Sequence, residues 1–193
     1  MKPITGIIRK SINNAETQFD RLGYLGDNFA NYNTNGYKAI KFEQMLNENG
    51  YLTQALRTDY SQGSIRITDN PYNIAIKGTG FIPVTSKEGE VQYTRDGSFK
   101  IGKDGYLLTN DDWMVGDGIK VPANVYRLTI KENGEVFCTT QNDGPEKKLG
   151  TIPLVRFQNP QGLVQGGPNK LKPTEEAGSP SLVKNPDYIA QYS

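Results

Sequence analysis

Between Thr5 and Phe29 the chain repeats Thr5, Ile8, Ile12, Ala15, Phe19, Leu22, Gly26 and Phe29, in steps of 3, 4, 3, 4, 3, 4 and 3. That strict 3.5-residue period is the seam of a coiled-coil-type helix, narrower than the stripe of a globular surface helix. Residues 3–31 read as one helix, with Pro3 in its first turn. At 1.5 Å per residue it is about 40 Å long. Gly23 and Gly26 weaken its second half. The run Asn31-Tyr32-Asn33-Thr34-Asn35-Gly36 ends it, with Gly36 or an Asn in the left-handed cap.

A seam this long needs a covering helix, and the rest of the chain does not supply one. Lys38 to Leu56 offers at most a short helical turn around Phe42, Met45 and Leu46, and the tail 179–193 carries Pro180 and Pro186. The expected partner is another chain or C-terminal sequence beyond Ser193. The competing expectation is an ordinary helix packed on its own β domain.

From Ser64 the period changes to two. Ile65/Ile67, Tyr72/Ile74/Ile76 and Val91/Tyr93 alternate with polar residues, and Asn70-Pro71, Gly78-Thr79-Gly80, Glu88-Gly89 and Asp96-Gly97 mark turns. Segments 99–108 and 128–137 resemble each other, and each predicts a hairpin, turning at Asp104-Gly105 and Asn133-Gly134. One more strand is expected within 151–157, and extended loop from Asn159 to Pro186. The predicted fold is mainly β, a β-sandwich or open-barrel-like body with a long N-terminal α-helix whose partner helix is missing. Four regions follow: an assembly helix and turn (1–38), a connector (39–63), a β domain (64–158) and a Pro/Gly-rich return segment (159–193).

Composition narrows the chemistry. Lys+Arg is 22 against Asp+Glu 21, so there is no basic footprint for nucleic acid. Histidine is absent and Cys138 is the only cysteine, which removes the commonest acid/base, the commonest metal ligand and any intrachain disulfide. Neither a secretory leader nor a 20-residue apolar span is visible. Gly78-Thr79-Gly80 lacks the third glycine and following helix of a dinucleotide loop and reads as a close-packed turn. Asp111, Asp112 and Asp117 read as a solvated loop beside Trp113, and Cys138 as a core residue. No catalytic residue, metal, cofactor or small-molecule substrate is expected.

The turn after the helix carries more. Ala30-Asn31, Thr34, Gly36, Tyr37 and Lys38 stand at the spacing that closes the first helix of flagellar rod and hook proteins, which this stretch resembles. A second block, with Gly78, Gly80, Phe81, Tyr93, Arg95, Asp96, Gly97 and Phe99, resembles that family's β-domain signature, continued by Gly105-Tyr106-Leu107-Leu108-Thr109. Phe157-Gln158-Asn159-Pro160-Gln161-Gly162-Leu163 and Gly178 resemble its later section. Two departures stand out. The stretch from Leu46 to Ser61 is shorter than in typical distal-rod proteins, and Asp27-Asn28-Phe29 replaces the usual Asn-Asn-Leu.

The resemblance implies a rod subunit that transmits torque from motor to hook. It implies export by the flagellar type III apparatus and a periplasmic place in the basal body. Its partners would be copies of itself, other rod subunits, the hook protein and the export apparatus, with no membrane span. Ile8, Ile12, Ala15, Phe19, Leu22 and Phe29 would carry inner-tube contacts against N- and C-terminal helices, the latter lying past a shortened C-terminus. Three other readings stay open: a carbohydrate- or peptidoglycan-binding β module with an oligomerising helix, a hook or junction protein of the same family, and a hydrolase built on Asp96 with Asp112.

Overall fold

The computed structural model describes residues 2–142 and 144–190. The chain forms two compact units, Met1–Tyr60 and Ser61–Ser193.

The first unit holds the helix α1 (Lys2–Ala30) and an antiparallel hairpin of β1 (Ile40–Leu46) and β2 (Leu52–Thr58). Where a helical turn was expected around Phe42, Met45 and Leu46, the chain is extended. Ile40, Phe42 and Gln44 alternate with exposed Lys41 and Glu43, so period two governs. The reversal Asn47–Tyr51 explains it. The Asn47 carbonyl accepts from Gly50 N at 2.9 Å, its Oδ1 accepts from Asn49 N and Tyr51 N, and Gly50 takes φ 76°.

In the second unit the strands are β3 (Ile74–Ile76), β4 (Ile82–Thr85), β5 (Val91–Thr94), β6 (Phe99–Ile101), β7 (Leu107–Thr109), β8 (Met114–Val115), β9 (Arg127–Ile130) and β10 (Glu135–Thr139). There follow β11 (Lys147–Thr151), β12 (Val155–Arg156), β13 (Leu163–Gly167), β14 (Lys170–Pro173), β15 (Ser181–Leu182) and β16 (Tyr188–Ala190). A seven-stranded sheet runs β13-β14-β5-β4-β8-β7-β6, a three-stranded sheet β11-β10-β9, and two short pairs are β12-β15 and β16-β3. The large sheet is open, with β13 and β6 at its ends, so no barrel closes. Ile82, Val84, Phe99, Leu107 and Val115 of that sheet share one core with Leu128, Ile130, Val136 and Cys138 of the smaller one. The body is mainly β around this shared core, and Cys138 is a core residue.

Both predicted hairpins form, β6–β7 and β9–β10, turning where Gly105 and Gly134 take positive φ. Three expectations fail. Ile65 and Ile67 lie in irregular, exposed chain, because an alternating run without a pairing strand gains no ladder. The strand expected over 151–157 is divided, with β11 ending at Thr151 and β12 covering two residues. Between Asn159 and Pro186 the expected loop contains β13, β14 and β15. β14 hydrogen-bonds to β5, so this region completes the main sheet. A register shift between Gln165 and Gly167 and the positive φ of Asn169 hide its alternation in the sequence. Residues 191–193 of the predicted return segment lie outside the described residues.

Candidate assembly surface and its supporting turns

α1 turns its polar side inward. Asn13 Nδ2 donates to the Leu52 carbonyl at 3.3 Å, and Asn14 Oδ1 accepts from Leu52 N at 2.9 Å. Asn28 does both at the other end, giving Nδ2 to the Ile40 carbonyl and taking Ile40 N, each at 2.9 Å. Between these ties Thr17 is buried, and Tyr24 meets Phe42 with ring centroids 6.0 Å apart. Asparagine suits this task because one amide satisfies both the N–H and the C=O of a strand residue.

The apolar seam lies on the remaining surface. Ile8 and Ile12 are about half exposed, Ala15 is exposed, and Phe19, Leu22 and Phe29 are 72%, 62% and 85% exposed. Ile4, Ile7 and Leu25 widen the stripe. Together these side chains leave apolar surface exposed along α1, which makes it the candidate assembly surface.

The helix ends in a hydrogen-bonded turn built from the residues that stood out in the sequence. Asn31 N and Nδ2 donate to the Asp27 carbonyl at 3.1 and 2.9 Å. Thr34 N bonds the Asn31 carbonyl at 2.9 Å and its hydroxyl donates to Asn31 Oδ1 at 3.2 Å. Tyr37 N then closes onto the Thr34 carbonyl at 3.3 Å across Gly36, whose φ is 72°. Tyr37 OH donates to Asn28 Oδ1 at 3.1 Å, so the turn is tied to the anchor that holds the hairpin. Ala30 is the last helical residue, and Lys38 leads into β1.

In the second unit Arg95 organises the glycine turn. Its guanidinium donates to the carbonyls of Gly80 at 2.6 Å and Gly78 at 2.8 Å, and to Gln62 Oε1 at 3.3 Å. Arg156 Nε reaches the Thr79 carbonyl between them at 3.1 Å. Burial pushes the Arg95 guanidinium below its ordinary value. Gly80 takes φ 142°, and a Cβ there would meet Leu154 at 2.8 Å. At Gly97 a Cβ would stand 1.9 Å from the Ile74 carbonyl oxygen, so only glycine fits. Phe81, Tyr93 and Phe157 form an edge-to-face cluster, with Tyr93 and Phe157 centroids 4.8 Å apart. Asp96 Oδ1 accepts from Ser98 N at 3.0 Å, and Phe99 is buried in the core. These signature residues make packing and hydrogen-bond contacts within the β body.

The carboxylate-pair reading, on Asp96 with Asp112, requires carboxyl pKa values raised above the ordinary range. Asp112 instead donates nothing and is bonded by Lys100 Nζ at 2.9 Å, which holds its carboxyl below the ordinary range. Trp113, the chain's one tryptophan, carries the Lys170 ammonium 4.9 Å from its ring centroid. No cluster of metal-ligating side chains occurs among the described residues.

The model of the "Flagellar hook protein FlgE/F/G D1 domain" family matches residues 75–138. The flagellar basal-body rod protein FlgG of Buchnera aphidicola subsp. Schizaphis graminum is 29% identical over 189 residues, spanning 86% of this chain and 73% of that protein. FlgG of Borreliella burgdorferi is 31% identical over 180 residues, spanning 80% of this chain and 68% of its own length. This chain belongs to the flagellar rod and hook protein family. The rod protein FlgF of the same Buchnera is 29% identical over 169 residues. The family match runs from β3 to β10 and contains Gly78, Gly80, Phe81, Tyr93, Arg95, Asp96, Gly97 and Phe99. In this rod-family chain the asparagine anchors of α1 went unread in the sequence. Their signal was present: Asn14 and Asn28 are two heptads apart on the face opposite Ile12 and Phe19.

Proposed function

We propose that this chain is a structural subunit of the bacterial flagellar basal-body rod, built into the axial shaft that carries torque from motor to hook. It works in the periplasmic part of the flagellum and has no enzymatic role in this reading. Relatives named as rod proteins over most of the chain support the assignment. The observation that carries the mechanism is the inverted helix. α1 spends its polar side on its own hairpin and leaves Ile8, Ile12, Ala15, Phe19, Leu22 and Phe29 outside.

Sealing each of the Ile, Leu and Phe side chains against a neighbouring subunit contributes about 1.5–3 kcal/mol before ordering costs. A contact that is heterologous and does not close propagates into a helical shaft. In this reading Ala30, Asn31, Thr34, Gly36, Tyr37 and Lys38 set the path from the inner helix to the outer layer. The β body gives lateral contacts to further rod subunits and the hook protein.

Ile12→Asp combined with Phe19→Asp tests this. Both sites are exposed, so the purified variant keeps the thermal transition of the native chain. Expressed in a cell lacking the native gene, it is absent from isolated basal bodies and the cells do not swim. Normal incorporation of the variant would refute the role of the stripe.

A further inference from the structure

Lys170 is the only lysine buried among the described residues, at 4% exposure, and it begins β14. Its ammonium is in direct contact with Asp111 Oδ2, lies over Trp113, and donates to the Pro168 carbonyl at 3.4 Å. The Asp111 carboxyl is itself held, with Oδ1 accepting from the Thr109 hydroxyl at 2.7 Å. A second carboxylate, Asp96, acts electrostatically on the same ammonium. The lysines of the other ion pairs, such as Lys172 with Glu90 and Lys41 with Asp59, are well exposed.

The geometry points to a covalent site: an isopeptide bond between Lys170 Nζ and Asp111 Cγ, formed within the folded chain. The Lys170 side chain is buried, where its charge is costly, while the Asp111 side chain is 45% exposed; amide formation removes the lysine's charge and with it that cost. Burial also pushes Lys170 toward the free amine. Two groups fixed in contact react at effective molarities of about 10⁵–10⁸ M, which offsets the unfavourable release of water.

The chemistry balances without a co-reactant. The ammonium passes one proton to the carboxylate inside the pair, giving an amine and a carboxylic acid. The Nζ lone pair attacks Cγ, the N–C bond forms and the C–OH bond breaks. The second amine proton leaves with the hydroxyl as water. Nothing is oxidised or reduced. The product ties the β13–β14 hairpin to the β7–β8 turn across 59 residues of sequence.

Intact-mass spectrometry of the purified, folded full chain tests the proposal. The expected mass is short of the sequence mass by one water, and protease digestion releases a branched peptide joining the Lys170 and Asp111 segments. Asp111→Ala and Lys170→Arg each restore the full mass. A wild-type chain that keeps its full mass after prolonged incubation in the folded state overturns the proposal. So does a water loss without the branched peptide, as cyclisation at Asp104-Gly105 would give. If a variant does not fold, the wild-type digest decides alone.

Discussion

Tyr188 shows how one buried side chain writes a pH dependence into the whole protein. Its ring is 1% exposed, its hydroxyl donates to the Ile152 carbonyl at 3.2 Å, and burial pushes the phenol well above its ordinary value of 10.0. Above pH 10 the unfolded chain loses this proton while the folded chain keeps it. The contribution is fully present below that pH and is lost as pH rises, by up to about 1.4 kcal/mol per unit. Urea midpoints measured between pH 8 and 11 are expected to fall less steeply for Tyr188→Phe than for the native chain. Arg95 is the second residue of this kind. Arg95→Ala leaves the Gly78 and Gly80 carbonyls without their donor and costs about 3 kcal/mol. Urea unfolding at pH 7 reads that loss directly, and an unchanged midpoint would mean the guanidinium does not hold the turn.

At the level of elements, the helix–hairpin unit depends on side chains to substitute for a sheet. A two-stranded hairpin alone is marginal in water, and an isolated helix is little better. Asn28 joins them by satisfying both backbone groups of Ile40, and it receives the Tyr37 hydroxyl as well. Asn28→Ala is expected to loosen this end by about 1–2 kcal/mol. Hydrogen exchange at the Ile40 amide then accelerates roughly tenfold, at about 1.4 kcal/mol per tenfold. Exchange at core amides such as Ile82 stays as it was.

For the molecule as a whole, the chain divides after Tyr60 into two compact units, and the proposed rod role gives assembly to the first and scaffold to the second. The core residues Ile74 through Tyr188 all belong to the second unit. A chain beginning at Ser61 is therefore expected to fold, with a cooperative thermal transition close to that of the intact protein, while failing to enter basal bodies. Loss of the transition on removing residues 1–60 would show that α1 and its hairpin are part of the scaffold.

The sequence by itself determined the helix, its 3.5-residue seam, the β6–β7 and β9–β10 hairpins and the family, because each is written in local periodicity or in glycines at fixed offsets. Gly97 is such a case: its need follows from a backbone contact, yet its place in Asp96-Gly97-Ser98 was legible at once. Tertiary structure alone decided which face of α1 is covered. Asn13, Asn14 and Asn28 look like solvent-facing residues until a strand edge lies beside them, and Phe42 suits a helix or a strand equally. It also decided that the Pro/Gly-rich return completes the large sheet, since β14 is specified by its pairing with Tyr93 and Thr94, more than seventy residues earlier. Hydrogen bonds between distant strands leave no periodic trace in either partner, so they exist only once the chain has folded.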